Sequence, residues 1–430
     1  MATTEIDPAP RSYPPFVTLL RRGARGPAAA PAATTVEDIA TWLLGDALAE
    51  PDLLPLYESL VWRLVAAGLP LARASLHVGT LHPQLLGFAW NWQIDDRLCD
   101  EVKVDAASRL TDSFRSNPLS RVIERGETID IDLADPLQRA RFPLMTELAA
   151  RGISHYLALP LTAGGSYHNA ATVATRRPEG FDAGELAAIR RVLAPFALHV
   201  ERHIAQRIAA NVLDTYLGSA AGAQVLHGAI TRGSGRAIRA IIWVSDLRGF
   251  TDLSDRLPAE AMLGLLNAYF ERMAGAVMAH GGDVLKFIGD GMLAVFPFAD
   301  DAAGATAARA ALAAATRALA DVGALSEAPP PALAGAAGWQ PLRSGIALHE
   351  GEVFFGNVGA PERLDFTVIG PGVNAAARVE ALCKTLGQPV LLTAPVAGRL
   401  ADAALDDLGE HRLRGLSRPL RLFAPRPTEA

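Results

Sequence analysis

The spacing of apolar residues changes along the chain and separates segments of different character. Residues 1–35 are rich in Pro, Ala and Gly, and we predict a disordered, solvated tail that carries the basic cluster Arg21, Arg22 and Arg25. Thr35 is predicted to cap a first helix, and apolar residues at helical spacing predict another over Leu53–Leu69. Helical structure therefore begins where the tail ends.

The period then shortens to that of β-strands. Alternating or continuous apolar runs predict five strands, at Ala72–Val78, Leu85–Trp92, Thr128–Leu133, Tyr156–Thr162 and His168–Thr175. A long amphipathic helix over Phe181–Ile208 closes this segment. The segment is predicted to be an α+β module, and a helical linker over 206–235 leads to the next one.

The second half alternates strands, turns and helices. Ala240–Ser245 is a continuous apolar run, which predicts a strand buried on both faces. An amphipathic helix over Ala259–Met278 precedes two apolar strands that flank Gly289-Asp290-Gly291, a hairpin with Asp290 at its tip. A short strand at Phe366–Ile369 turns through Gly-Pro-Gly into a further helix. Strand Arg343–His349 follows an insert, 326–338, that is predicted to be a surface loop.

The composition of the chain excludes several classes of protein. The chain has 430 residues, a net charge of -6 and no block of like charges, so a nucleic-acid-binding protein is not expected. Its two cysteines, Cys99 and Cys383, have no zinc-type spacing. No stretch is apolar enough for a membrane span, and the N-terminus does not resemble a signal peptide. We therefore expect a cytoplasmic protein without membrane contact.

Three segments carry side chains suited to chemistry. Asp246 follows the buried strand and precedes a Gly turn, which suits a metal-bound phosphate but also a simple helix cap. Lys286 lies in an otherwise apolar strand before Asp290, where it needs a polar partner or reaches solvent. Asn374 and Arg378 are four apart on one helical face, although Arg378 could instead pair with Glu380 or meet solvent.

Together these segments resemble the catalytic domain of class III nucleotide cyclases over residues 236–425. The motifs are Asp246-Leu247-Arg248-Gly249-Phe250-Thr251, Lys286-Phe287-Ile288-Gly289-Asp290 and Val373-Asn374-Ala375-Ala376-Ala377-Arg378. The resemblance implies a ferredoxin-like α+β fold with an antiparallel sheet. It also implies that Asp246, Asp290 and the Leu247 carbonyl hold two magnesium ions, with manganese as a substitute, and that Asn374 and Arg378 stabilise the transition state.

The same resemblance implies which residues bind the substrate. Lys286 matches the position that reads adenine, so ATP is favoured over GTP, and Thr367 matches a second base-selecting position. Asp365 points to the same face as Thr367 by strand alternation, and which of the two contacts adenine stays open. The amides of Phe250 and Thr251, and the side chain of Arg414, match phosphate contacts. Pro371 stands where the family often has Asp and could shift the start of the catalytic helix.

In this family the active site forms between two head-to-tail catalytic domains. Because one chain has a single such domain with every element, the resemblance implies a homodimer. The expected function is an adenylate cyclase that makes 3′,5′-cyclic AMP and pyrophosphate from ATP. The alternatives are a guanylate cyclase and a catalytically inactive binding or dimerisation module; a diguanylate cyclase is suggested by Gly281-Gly282-Asp283, but the residues that follow do not fit it.

Residues 36–205 are similar in their element order to a GAF domain, a small-molecule sensing module. This resemblance implies a regulatory domain with an unidentified small-molecule ligand. The alternative is a module that only holds a dimer together. The whole chain is thus expected to have an α+β organisation of regulatory domain, linker and catalytic domain.

Overall fold

The computed structural model describes residues 6–161, 169–329 and 341–426. The chain divides into two compact units, residues 1–212 and 213–430, and this division lies inside the stretch predicted to be the linker. We refer to them as the N-terminal and C-terminal units. Across the described ranges, every helix is too short or too polar to cross a membrane.

The N-terminal unit is built on one antiparallel sheet. Its strands lie in the order β1-β4-β3-β2-β7-β6-β5. Their bounds are β1 Val17–Gly23, β2 Arg73–Gly79, β3 Leu85–Gln93, β4 Cys99–Asp105, β5 Ile129–Asp132, β6 His155–Leu161 and β7 Asn169–Thr175. The five predicted strands are confirmed as β2, β3, β5, β6 and β7, while the predicted ends Thr162 and His168 lie outside the described residues.

Helices cover both faces of this sheet. They are α1 Val36–Leu44, α2 Leu53–Ala66, α3 Asp112–Arg115, α4 Pro118–Arg125, α5 Pro136–Arg139, α6 Pro143–Ala150 and α7 Ala183–Leu217. One core joins α1, α2 and α7 to the sheet, and a second joins α4 and α6 to its other face. The predicted cap is confirmed, since Thr35 accepts from the Asp38 amide while the Asp38 side chain accepts from the Thr35 amide.

The prediction of a disordered tail is wrong for residues 6–35. Strand β1 pairs with β4, so this segment forms the edge of the sheet. Two arginines of the basic cluster have acidic partners on β4: Arg22 Nε lies 2.6 Å from Asp100, and Arg21, which is partly exposed, pairs with Glu101. Both acidic side chains are fully buried in β4. Burial of two carboxylates requires cationic partners, and the N-terminal segment supplies them.

The C-terminal unit contains the second sheet, with the strand order β14-β15-β13-β11-β8-β10-β9 and with β12 paired to β11. The strands are β8 Gly235–Leu247, β9 Asp283–Ile288, β10 Gly291–Phe298, β11 Ser344–Ala360, β12 Arg363–Ile369, β13 Val390–Thr393, β14 Leu405–His411 and β15 Leu420–Pro425. Strands β11 and β13 are parallel, and the remaining pairs are antiparallel.

Its helices are α8 Ser219–Leu226, α9 Phe250–Ser254, α10 Ala259–Ala279, α11 Asp301–Glu327, α12 Pro371–Leu386 and α13 Ala394–Gly398. Helices α10 and α11 pack on one face of the sheet, where a row of fully buried alanines in α11 permits close approach. The predicted hairpin and the predicted helix 259–278 are confirmed. The predicted surface loop begins inside α11, and its residues 330–338 lie outside the described ranges.

Strand β8 lies at the centre of this sheet. Its apolar run is buried on both faces, as predicted: Ile241 and Trp243 belong to the core under α10 and α11, and Ala240 and Ile242 to the core on the other face. Strand β11 pairs with β8 along its whole length, and β10 pairs with it over Arg239–Ser245. A rigid, doubly covered strand therefore carries the first candidate metal ligand at its end.

Candidate active site

Asp246 and Asp290, the two predicted metal-binding acids, meet at one end of the central strands. Ser245 of β8 pairs with Met292 of β10, which brings Asp246 opposite Gly291, next to Asp290 in the hairpin turn. A Cβ on Gly291 would lie 3.6 Å from Oδ1 of Asp246. The fold thus brings together two carboxylates that are distant in sequence.

The negative charge of Asp246 affects the pKa of Asp290, and neither carboxylate has a cationic partner among the described residues. The pKa of Asp290 is raised to about 6, first by burial and then by the negative charge of Asp246. Within the described ranges, no Lys or Arg forms an ion pair with either acid. Concentrated negative charge of this kind is the environment that a divalent cation stabilises.

The nearest arginine in sequence, Arg248, pairs with a different acid. Its Nη2 lies 2.7 Å from Oε1 of Glu380 on α12 and donates to the Glu380 carbonyl at 3.2 Å. The expectation that Glu380 could pair with Arg378 is wrong. Burial raises the pKa of Glu380 to about 7, and Arg248 opposes this shift while Asp246 and Asp290 add to it.

The Arg248–Glu380 pair is the main feature of the site that the sequence did not reveal. It needs a glycine in β11, because a Cβ on Gly345 would lie only 1.9 Å from Nη2 of Arg248. Gly345 is also the β11 residue that lies opposite Asp246. The sequence did contain a signal: Arg248 lies inside a recognised motif, and Gly345 lies near the start of a predicted strand. Only the register between β8 and β11, however, shows that these two residues are neighbours.

The turn after β8 presents the predicted phosphate-binding amides. Gly249 has φ 75°, a left-handed conformation suited to glycine, and it precedes α9. Phe250 and Thr251 form the first turn of α9, where backbone N–H groups have no acceptor within the helix. These two amides therefore lie directly after the strand that carries Asp246 and Leu247.

The predicted base-selecting residues lie on β9 and β12. Lys286 forms an ion pair with Asp365, which satisfies the polar partner that a lysine in this strand requires. Thr367, two residues further along β12, is 8% exposed. The structure thus groups Lys286 with Asp365 and puts Thr367 on the same strand, and the choice between Asp365 and Thr367 as a base contact remains a prediction.

Helix α12 carries the predicted transition-state residues. Pro371 occupies its first position, which suits proline, so α12 begins at this residue. Asn374 is exposed and Arg378 half-buried on α12. A Cβ on Gly415 would lie 3.2 Å from Nη2 of Arg378, which puts the guanidinium against the loop that carries the exposed Arg414.

Apart from Lys286 and Thr367 on β9 and β12, the predicted site residues lie in two regions of one chain. Asp246, Leu247, Asp290 and the α9 amides form the first, and Arg378 with the Arg414 loop forms the second. Across the described ranges, no hydrogen bond or ion pair joins Asn374 or Arg378 to Asp246 or Asp290, and three or more His, Cys, Asp or Glu side chains are nowhere grouped as a metal site. The first group offers two carboxylates and a main-chain carbonyl, which are hard oxygen donors that fit magnesium.

Comparison with known proteins identifies the class of domain. Residues 237–423 match the family model described as the adenylate and guanylate cyclase catalytic domain. The C-terminal unit therefore contains a cyclase catalytic domain, a structure of helices on a mainly antiparallel sheet. The match concerns this domain and covers less than half of the chain.

Individual relatives match the same part of the chain. Adenylate cyclase 1 of Rhizobium meliloti (strain 1021) is 31% identical over 182 residues, 42% of this chain and 26% of that protein. Adenylate cyclase of Anabaena cylindrica is 33% identical over 171 residues, 39% of this chain and 32% of that protein. The chain thus spans about a third or less of these relatives. A bacterial light-regulated adenylyl cyclase structure matches with 30% identity and a TM-score of 0.37, covering 44% of this chain and 91% of that one.

Proposed function

We propose that the protein is an adenylate cyclase that converts ATP to 3′,5′-cyclic AMP and pyrophosphate. The observation that carries this proposal is the convergence of Asp246 and Asp290 at the ends of neighbouring strands, with their charge uncompensated. The cyclase domain match supplies the reaction class. The preference for ATP rests on Lys286 and on the adenylate cyclases among the relatives.

Asp246, Asp290 and the carbonyl of Leu247 would hold the two magnesium ions, or manganese in their place. When bound, such ions supply charge stabilisation at the attacking ribose oxygen and at the leaving pyrophosphate. The chain itself positions these ligands through β8, which is buried on both faces, and through the tight hairpin turn. The Arg248–Glu380 pair fixes the turn that follows Asp246, because it ties that turn to α12.

Lys286 would select the base. Its ammonium group donates to an acceptor such as N1 of adenine, whereas the protonated N1 of guanine offers no lone pair there. The ion pair with Asp365 holds the ammonium group beside β12, where the Thr367 hydroxyl or the Asp365 carboxylate accepts from the adenine amino group. The amides of Phe250 and Thr251 and the side chain of Arg414 would bind the β and γ phosphates.

Asn374 and Arg378 would act on the α-phosphate. As the ribose 3′ oxygen attacks phosphorus and pyrophosphate leaves, charge grows on the non-bridging oxygens, and the fixed guanidinium fork of Arg378 stabilises it. Because neither side chain has a hydrogen bond or ion pair with the acids of its own chain in the described ranges, we propose that they serve the acids of a partner subunit in a homodimer with two equivalent sites.

Exposed apolar side chains near the site support a second copy of the chain. Phe287 and Ile288, directly before the turn that carries Asp290, are 50% and 60% exposed, and Ile369, just before α12, is 46% exposed. Large apolar residues at this level of exposure, next to both groups of site residues, are typical of an interface between subunits.

The N-terminal unit is proposed to regulate this activity as a GAF-like domain that binds a small molecule. Its helix α7 continues along the chain to Leu217, beyond the end of the unit. A change in the position of α7 caused by a ligand would therefore reach the start of the C-terminal unit through the chain itself. The rival interpretation, a module that only holds the dimer together, makes no such link to a ligand.

The test is an assay of the purified full-length protein with ATP or GTP, each with magnesium or manganese. We expect cyclic AMP from ATP and little product from GTP, measured by chromatography. Cyclic GMP as the main product would indicate a guanylate cyclase, and absence of both products from a folded dimer would indicate a binding module. A chain truncated to begin at residue 206 should differ in rate if the N-terminal unit regulates it.

A further inference from the structure

The Arg248–Glu380 ion pair joins the two regions of predicted site residues within one chain. Arg248 lies two residues after Asp246, just beyond the end of β8. Glu380 lies two residues after Arg378 on α12. Nη2 of Arg248 lies 2.7 Å from Oε1 of Glu380 and donates to the Glu380 main-chain carbonyl at 3.2 Å. The turn that follows the first proposed metal ligand is therefore tied to the helix that carries Asn374 and Arg378.

This ion pair is shielded from water and has little room to move. The side chain of Arg248 is 20% exposed and that of Glu380 is 9% exposed, so solvent screens their attraction less than it would at the surface. A Cβ on Gly345 would lie 1.9 Å from Nη2 of Arg248 and 2.5 Å from Oε1 of Glu380. Both side chains thus fill the space beside this glycine, and a shift of one of them moves the other.

The strength of the pair depends on the charge of the neighbouring acids. Oε1 of Glu380 is buried and makes no hydrogen bond among the described residues, so it depends on the positive charge of Arg248. Burial raises the pKa of Glu380 to about 7, and Arg248 opposes this rise. The negative charges of Asp246 and Asp290 add to it. A cation bound between these two acids would cancel their charge and would therefore strengthen the pair.

We propose that the Arg248–Glu380 pair transmits the occupancy of one active site of the homodimer to the other. The inference rests on the proposed function, in which Asp246 and Asp290 of one chain serve one site while Arg378 of that chain serves the second. With the acids empty, their charge weakens the pair, and α12 is held less firmly. With a cation and a nucleotide at the acids, the pair strengthens and fixes α12 for the second site. Occupancy of one site should therefore raise the affinity of the other, and the effect is reciprocal.

Apolar packing also joins α12 to β8, but it does not respond to charge. A Cβ on Gly372 of α12 would lie 2.8 Å from Cδ1 of Ile242 on β8. Such contacts depend on the fit of apolar surfaces, and a cation at the acids leaves that fit unchanged. Glu380→Gln keeps this packing and the shape of the side chain while it removes the charge. The substitution therefore separates coupling through the ion pair from coupling through the packed core.

The first test measures binding without turnover. The probe is 3′-deoxy-ATP with manganese, because a nucleotide without the 3′ hydroxyl group has no oxygen to attack the α-phosphate. Titration calorimetry of the full-length dimer should give two sites, the second about fivefold tighter than the first after statistical correction. In Glu380→Gln the two affinities should become equal within about twofold. The matched control is Asp321→Asn, which removes the charge of an acid 2.7 Å from the exposed Arg317 on α11 and should leave the ratio unchanged.

The outcomes separate this inference from the proposed function. Equal affinities at the two sites of the unsubstituted dimer, or the same ratio in Glu380→Gln as in the unsubstituted dimer, would overturn the coupling while the cyclase proposal stands. Absence of any nucleotide binding by a folded dimer would contradict the proposed function itself, and the coupling with it.

The second test asks whether charge, and not the stability of the fold, carries the coupling. Arg248→Lys keeps the positive charge and should retain a second site at least about twofold tighter than the first, whereas Arg248→Met should abolish the difference. A purely structural role predicts instead that both variants lower the unfolding temperature and leave the ratio of the two affinities as it is, which would overturn the proposal. If Arg248→Met does not fold, Glu380→Gln and Arg248→Lys decide between the two outcomes.

Discussion

The two units of the chain differ in whether their acidic side chains are paired with cations. In the N-terminal unit, Asp100 and Glu101 of β4 are fully buried, and arginines from β1, α7 and the segment before β1 pair with both. In the C-terminal unit, Asp246 and Asp290 come together, and no ion pair with a cation is formed by either among the described residues. Acidic residues are therefore paired with arginines in one unit and brought together without such partners in the other.

This difference separates structural acids from candidate catalytic acids. A paired, buried carboxylate fixes one segment against another, and its loss or the loss of its partner affects stability. A carboxylate whose pKa is raised by burial and by a neighbouring carboxylate, as at Asp290, reduces stability by itself, and such arrangements are concentrated at functional sites. We therefore expect substitutions at the C-terminal acids to affect activity, and substitutions at the partners of the N-terminal acids to affect stability.

The largest effect is expected for Asp290→Ala. Loss of one of the two carboxylates proposed to bind metal should lower the rate of cyclic AMP formation by at least about a thousandfold, because charge stabilisation at the reacting phosphate would be lost. Measurement of the initial rate with ATP and magnesium checks this, and sedimentation should show the same dimer as the unsubstituted protein.

A control for Asp290→Ala lies on the same hairpin. Asp283 of β9 is half-buried and has a pKa raised by burial, but it lies at the far end of its strand from the turn. Asp283→Asn should keep activity within about twofold, since surface substitutions away from functional groups have small effects. Equal losses in both variants would mean that the hairpin, not the Asp290 carboxylate, limits activity.

Mixing two inactive proteins should restore activity. Asp290→Ala and Arg378→Ala each remove one group of site residues, so a heterodimer keeps one complete site out of two. Random exchange of subunits gives half heterodimers, hence roughly a quarter of the full activity. No recovery, although both proteins are folded and mass spectrometry detects heterodimers, would contradict a site shared between subunits.

In the N-terminal unit the expected effect is on stability. Arg11 is 7% exposed, and its Nε lies 2.7 Å from Asp96 and Nη1 3.2 Å from Asp100. Arg11→Met leaves these carboxylates with fewer partners and should lower the free energy of unfolding of this unit by about 3 kcal/mol. Urea denaturation followed by tryptophan fluorescence measures it.

The control for Arg11→Met is an exposed pair in the same unit. Arg109 lies 3.4 Å from Glu124, and both side chains are largely accessible. Arg109→Met should therefore change the free energy of unfolding by less than about 1 kcal/mol. A loss as small for Arg11→Met would show that residues 6–16 add little to the fold.

These N-terminal arginines also explain where prediction of the fold from sequence failed. Five strands and the long helices follow from local periodicity. They are correct within a few residues at one end or both, and α7 has the correct start but continues to Leu217, beyond its predicted end at Ile208. Strands β1 and β4 were missed because their sequences are rich in charged residues, which are normally exposed to solvent. Their charges are buried against each other, and a contact between residues so far apart in sequence leaves no local pattern.

The active site was predictable to a different extent. Asp246, Asp290 and Lys286 could be proposed as site residues because motif and turn chemistry are local and the resemblance implied their roles. The Arg248–Glu380 pair could not, since it depends on the register between β8 and β11 and on the space left by Gly345. The continuation of β11 to Ala360 was also missed, because its glycines interrupt the apolar pattern.

Apart from the controls, the smallest effect should come from Lys286→Glu. This substitution tests base selection and not the charge at the proposed metal site. Reversal of the charge places a carboxylate beside Asp365, so the donor to adenine is lost and two acids repel. We expect kcat/KM for ATP to fall about 10- to 100-fold and that for GTP to fall less, because a carboxylate accepts from guanine N1–H and the amino group. Parallel assays with both nucleotides measure the ratio, and Lys384→Glu, an exposed lysine on α12, controls for net charge. Equal losses with ATP and GTP would remove Lys286 from base selection, while the metal-binding role of Asp246 and Asp290 would be unaffected.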